Sequence, residues 1–130
     1  MSDRGCSADL PANEMEDFLR LFVDETAEQL DGLVQAILAL KDDPSDLRQL
    51  DEAFRLLHSI KGASALLGLG RITTLTDQLD IHFVRLRSGK DTLDATVNAI
   101  LGGVDCVRDC NERLRRGEPL AVAGAPPNQV

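Results

Sequence analysis

The chain has 130 residues, and this length predicts a single domain with one modest hydrophobic core. Its formal net charge of −8 argues against nucleic-acid binding and against an anionic membrane surface, because both need clustered lysine and arginine. No apolar stretch approaches the ~20 residues that cross a bilayer, and the first residues lack the apolar centre of a signal peptide. We therefore expect no membrane insertion, and the absence of a disulfide framework in the sequence favours a reducing, cytoplasmic setting.

Three cysteines, an odd number without CxxC spacing, predict neither a disulfide framework nor a zinc site. Cys106 and Cys110 lie four residues apart on a predicted helix, and we interpret both as small packing residues. No metal ion is expected on this chain, because convergent ligands are missing.

The predicted elements are four helices, in which apolar residues recur every three to four positions. The first helix begins at residue 13 and ends within residues 41–45, where Pro44 disfavours helix at the residue before it. The second covers about residues 46–67, the third about 71–87 and the fourth about 92–115. Gly102 and Gly103, inside the fourth helix, predict a bend or a close neighbour.

Four amphipathic helices with short connections can bury their apolar faces together only as a bundle. The fold class is therefore predicted to be all-α, an antiparallel four-helix bundle over residues 13–116. Residues 1–12 are expected to form a flexible N-terminus, and residues 117–130, rich in Pro, Ala and Gly, a linker or tail.

The most informative segment is residues 54–64, FRLLHSIKGAS. His58 borders the apolar stripe of the second helix, so its ring should have a packed base and an exposed tip. Lys61 at i+3 and Gly62 at i+4 lie on the same face of the helix. A glycine there costs the helix ~1 kcal/mol relative to alanine, far from either end, which suggests that it leaves room beside the imidazole.

Arg55 and Lys61 place cations three residues before and after His58. Their charge favours a neutral imidazole and can stabilise an attached phosphoryl group. A neutral ring nitrogen can attack phosphorus if an acceptor holds the proton on the other nitrogen. The third helix offers Asp77 and Asp80 for this role, and Asp80 follows the stripe residue Leu79.

Other chemistries have less support. The segment Gly68-Leu69-Gly70 lacks the third glycine and the preceding strand of a phosphate-binding loop, so it is interpreted as a helix stop. HExxH spacing and the nucleophile turn of a serine hydrolase are absent from the sequence. His82 lies on a different helix from His58 and has no motif around it. The chain is thus expected to bind no cofactor, and its status as an enzyme by itself stays open.

Residues 54–64, with Gly68 and Leu69, resemble the signature of histidine phosphotransfer (HPt) domains. Residues 18–30, FLRLFVDETAEQL, are similar to the opening helix of the N-terminal phosphotransfer domain of CheA-type chemotaxis kinases. The resemblance covers about residues 14–116. It implies a helical bundle whose second helix displays His58 as the phosphoacceptor.

The resemblance also implies partners. The ATP-binding catalytic domain of a CheA-type kinase, using ATP and Mg²⁺, would phosphorylate His58, and the phosphoryl group would pass to an aspartate of a CheY- or CheB-like response regulator. Lys61 would lie beside the phosphoryl group, and Gly62 would leave room for the partner's active site. Where such domains use a glutamate to bond the non-attacking nitrogen, this chain has Asp80, which is shorter by one methylene.

Arg55 and Ser59 are expected to support the site. Two alternatives stay open. The chain can be a free-standing HPt relay protein that receives its phosphoryl group from a receiver domain. It can also be a helical interaction module without covalent chemistry, which predicts a buried or inert His58.

Overall fold

The computed structural model describes residues 12–118 and residue 120. These residues form four helices and no strand: α1 (Ala12–Asp42), α2 (Leu47–Leu66), α3 (Gly70–Arg87) and α4 (Leu93–Arg115). Helices α1 and α3 each pack against both α2 and α4. The predicted antiparallel four-helix bundle is confirmed. The predicted flexible N-terminus and C-terminal tail lie for the most part outside the described residues.

The centre of the bundle is filled by aliphatic side chains from all four helices, with the two aromatic rings of Phe22 and Phe83 among them. Burying each such side chain contributes about 1.5–3 kcal/mol to folding. The larger apolar side chains with almost no exposed surface are Leu30, Leu33, Ile37, Leu57, Ile60, Ile72, Leu79, Phe83, Ile100, Val104 and Val107. None of the four described helices is long and apolar enough to cross a membrane.

The turn between α2 and α3 brings the two helices side by side. Gly68 adopts a φ of 74°, which glycine reaches without a Cβ penalty. Its N–H donates to the Ala65 carbonyl, and the Leu69 N–H donates to the Ser64 carbonyl. These two bonds satisfy the last carbonyls of α2 in a Schellman motif. Helix α3 begins at Gly70, one residue before the predicted start. It runs back along α2, which brings residue 80 opposite residue 58.

The glycine pair of α4 has two different environments. A Cβ on Gly103 would lie 2.6 Å from Leu79 Cδ2 of α3, whereas a Cβ on Gly102 would have no described atom within 4 Å. Gly103 therefore admits a close neighbour, and Leu79 fills the space.

The prediction that both cysteines of α4 are packing residues is half wrong. Cys110 is buried, but Cys106 is exposed. Because a helix turns about 100° per residue, Cys106 lies about 40° further from the buried stripe than Cys110, four residues on. A spacing of four residues on one helix therefore did not suffice to bury both thiols.

Candidate functional site

His58 lies on the exposed side of α2, with 68% of its side chain accessible. Its neighbours Leu57 and Ile60 are buried, so the backbone that carries the imidazole is anchored in the core. The ring centroid of Phe54, one turn earlier, is 6.5 Å from that of the imidazole. The imidazole is therefore held at its base and accessible at its tip.

Asp80 reaches towards the imidazole from α3. Its Oδ1 lies 3.9 Å from His58 Nε2, beyond the range of a hydrogen bond. The same oxygen is buried and finds no hydrogen-bond partner among the described residues. A buried acceptor without a donor is unfavourable, so this carboxylate is available to accept a hydrogen bond from a protonated ring nitrogen.

Lys61 is paired across the same helix interface. Its Nζ donates to Asp77 Oδ1 at 2.7 Å. This hydrogen bond raises the pKa of Lys61, the charges of Asp77 and Asp80 raise it further, and desolvation opposes them. Lys61 thus carries a positive charge at neutral pH, and Asp77 fixes where that charge lies.

The expectation of two cations acting on the imidazole needs correction. Arg55 donates to both carboxylate oxygens of Glu52, at 3.0 and 2.7 Å. Since Lys61 is paired as well, each cation has an acid beside it that cancels much of its field. The sequence spacing identified the cations but not the carboxylates that neutralise them.

The two residues that flank the surface next to His58 have different environments: Gly62 is open to solvent, and Ser59 is hydrogen-bonded to α1. A Cβ at Gly62 would meet no described atom within 4 Å, so packing inside the chain does not require this glycine. Ser59 Oγ accepts a hydrogen bond from Gln29 Nε2 of α1 at 2.8 Å. This bond links α1 to α2 one residue from the imidazole.

Three side-chain pairs cross the α2–α3 interface in antiparallel order. They are Asp51 with Arg87, His58 with Asp80, and Lys61 with Asp77. Each step forward along α2 is matched by an equal step back along α3. Asp77, considered from the sequence only as a partner for the imidazole, is instead the partner of Lys61. The antiparallel prediction and the matched spacing of three residues were the signal that could have found it.

Two aromatic and cationic contacts near the site were also missed. The Arg87 guanidinium lies 4.6 Å above the ring of Phe54. Phe54 makes an edge contact with the buried ring of Phe83. Together these contacts fix the aromatic ring of Phe54 one turn before His58.

His82 does not join the site. It is half-buried on α3, and its Nδ1 is buried without a hydrogen-bond partner among the described residues. Across residues 12–118 there is also no group of three or more side chains that could hold a metal ion.

The chain is similar in sequence to a known domain family and to chemotaxis kinases. A family model described as "Hpt domain" matches residues 17–117. The chemotaxis protein CheA of Bacillus subtilis (strain 168) is 31% identical over 114 residues, which cover 76% of this chain and 17% of that protein. The sensor histidine kinase CheAY of Helicobacter pylori is 37% identical over 91 residues, covering 66% of this chain and 11% of that protein.

A solved structure is similar over most of both chains. The CheA phosphotransferase domain from Thermotoga maritima matches with a TM-score of 0.70 and 30% identity, covering 77% of this chain and 96% of that one. The match spans nearly all of that domain, whereas the chain spans less than a fifth of the two curated relatives named above.

Proposed function

The chain belongs to the Hpt domain family, and on that premise we propose that His58 accepts a phosphoryl group from an ATP-dependent histidine kinase domain and passes it to an aspartate of a response regulator. The relatives named CheA make a CheA-type kinase the proposed donor and a CheY- or CheB-like regulator the proposed acceptor. ATP and Mg²⁺ would be bound by those partners.

The first step is an in-line displacement at the γ-phosphorus of ATP. The lone pair of the unprotonated ring nitrogen forms the N–P bond as the bond from phosphorus to the β–γ bridging oxygen breaks, and ADP leaves with that electron pair. The other nitrogen keeps its proton. In the second step a carboxylate oxygen of the regulator attacks phosphorus, and the N–P bonding pair returns to the ring.

One observation carries the proposal: an imidazole with 68% of its side chain accessible stands beside a glycine position that is open to solvent. An attacking nucleophile must be reachable by the active site of another domain, and an added side chain at residue 62 would occupy the approach. The interaction module without chemistry predicted a buried or inert histidine, and this exposure counts against it.

Asp80 and Lys61 are proposed to assist in different ways. The ring nitrogen that faces Asp80 keeps its proton, so the other ring nitrogen attacks. The Lys61 ammonium lies on the same face, one turn along α2, and its charge favours the oxygens of the bound phosphoryl group. Arg55 and Ser59 are supporting residues, the second through its bond to α1.

The docking surface is proposed to lie on α1 and α2. Leu21 and Leu66 are large apolar side chains on these helices that remain exposed in the described structure. Such side chains suit an amphipathic helix of a partner, which would bury them while its active site meets His58.

The test is phosphorylation by a CheA-type kinase domain with radiolabelled ATP. We expect acid-labile label on the native chain and none on His58→Gln. His82→Gln is the matched control, since it removes the only other histidine and should be labelled like the native chain. Acid-labile label that persists on His58→Gln would overturn the assignment.

A further inference from the structure

The ion pair between Lys61 and Asp77 has a consequence for the phosphorylated state. The two side chains are partly exposed and meet at 2.7 Å across the α2–α3 interface. The pair lies one helical turn from the pair of His58 and Asp80. A phosphoryl group on His58 would therefore appear next to an ammonium that already has an anionic partner.

We propose that Asp77 is a positioning residue that acts through Lys61: it holds the ammonium in the α2–α3 ion pair and so competes with the phosphoryl group on His58 for it. This inference rests on the proposed function of His58. The competition limits how strongly Lys61 stabilises the phosphorylated ring, and it keeps the phosphoryl group easy to pass on.

The physical basis is the chemistry of the two partners. A lysine ammonium is a single charge with three donors on a flexible stem, so it can turn from one acceptor to another without backbone movement. A phosphoryl group brings close to two negative charges and three acceptor oxygens, which outweigh one carboxylate. No covalent bond is made or broken in this exchange: the ammonium replaces a hydrogen bond to Asp77 with one to the phosphoryl group and keeps its protons.

The Asp77→Asn change keeps the side-chain size and removes the competing charge. Lys61 is then free for the phosphoryl oxygens, and the N–P bond should be lost to water more slowly. An exposed ion pair contributes little, so the expected slowing is about two- to fivefold.

The experiment uses the full chain with His82→Gln, so that His58 is the only histidine, and potassium phosphoramidate as the phosphoryl donor. After removal of the donor, phosphorus NMR follows the decay of phosphohistidine. The matched control is Asp31→Asn, which breaks the cross-helix pair of Asp31 with Arg108 at 2.8 Å on the α1–α4 side of the bundle. Its decay should equal that of the parent.

A double-mutant cycle with Lys61→Gln decides whether Asp77 acts through the lysine. In the Lys61→Gln background, Asp77→Asn should no longer change the decay, and with Lys61 in place Asp77→Glu should keep the parent rate. Equal decay of the parent and the Asp77→Asn variant, or an effect of that change that survives without Lys61, overturns the inference. Because the donor is chemical, failure of the kinase to label His58 would be a separate result and would count only against the proposed function.

Discussion

Asp80 Oδ1 and His58 Nε2 face each other across the α2–α3 interface at 3.9 Å, about one ångström too far apart for a hydrogen bond. The carboxylate oxygen is buried without another donor in the described part of the chain. The carboxylate thus faces the imidazole, but its side chain is too short for a hydrogen bond. A substitution that lengthens the side chain can test its role.

Asp80→Glu adds one methylene, about 1.5 Å, and should bring the carboxylate into hydrogen-bond range of the imidazole. A hydrogen bond of about 1 kcal/mol to the non-attacking nitrogen should raise the rate of phosphorylation by kinase and ATP roughly fivefold. Asp80→Ala should lower the rate. Initial rates of label incorporation measure both, and identical rates for all three chains would exclude a role for this carboxylate.

Gly62→Ala should separate stability from access. The position is helical with open space around it, so alanine should stabilise the protein by about 0.5–1 kcal/mol. A methyl group in the approach of a partner active site costs about 1–3 kcal/mol, so phosphorylation by the kinase domain should slow roughly five- to 150-fold.

Phosphoramidate serves as the control donor for that variant, because it is small enough to reach His58 past a methyl group. Its rate should be unchanged by Gly62→Ala. Urea unfolding measures the stability, and an unimpaired kinase rate would show that the partner does not use this space.

Gly103→Ala should destabilise the bundle by about 0–2 kcal/mol. Its Cβ would lie 2.6 Å from Leu79 Cδ2, at an overpacking cost of about 1–3 kcal/mol, and the helix propensity of alanine offsets up to about 1 kcal/mol of this. Gly102→Ala, one residue earlier, meets nothing and should stabilise by about 0.5–1 kcal/mol through helix propensity. Thermal unfolding followed by circular dichroism compares the two. Equal shifts in the same direction would contradict the close packing of α4 on α3.

The cysteines of α4 should differ in reactivity. Burial raises the pKa of the Cys110 thiol, which disfavours the reactive thiolate, whereas Cys106 is exposed. In a Cys6→Ser background, iodoacetamide at pH 8 should modify Cys106 at least tenfold faster than Cys110, as located by peptide mass spectrometry. The difference between the two modification rates should disappear in 8 M urea. Equal rates in the folded protein would argue against the packing of Cys110.

Asp91 predicts a pH dependence of stability at the α3–α4 turn. Arg85 Nε donates to Asp91 Oδ2 at 2.6 Å, and this bond lowers the pKa of the carboxyl below its ordinary value of 3.8. The stabilisation is therefore present above pH 3.8 and is lost as the pH falls through the lowered pKa.

Asp91→Asn should lower the Tm at pH 7, and the difference from the native chain should shrink as the pH falls below about 3.8. Thermal unfolding from pH 7 down to pH 2 gives the profile. Asp105→Asn, which removes an exposed acid from the middle of α4, is the matched control. A constant Tm difference across the range would mean that the ion pair contributes nothing through this carboxyl.

The sequence determined the helices and their order, because helix formation depends on local periodicity and on capping and turn residues. The repeat of apolar residues marked the stripes that fill the core, and Gly68 marked the end of α2 through its own backbone freedom. His58, Lys61 and Gly62 could be selected for the same reason: residues three and four apart share a face whatever the rest of the fold does.

Only the tertiary structure decided which side chains meet across helices. The pairing of Lys61 with Asp77, and the 3.9 Å gap between His58 and Asp80, depend on the register of α2 against α3. That register follows from the packing of Leu79 and its neighbours in the core, which no local pattern contains. Distances between helices are set by many buried contacts together. The distance between Asp80 and His58 therefore depends on the packing of the whole core and cannot be derived from a local sequence pattern.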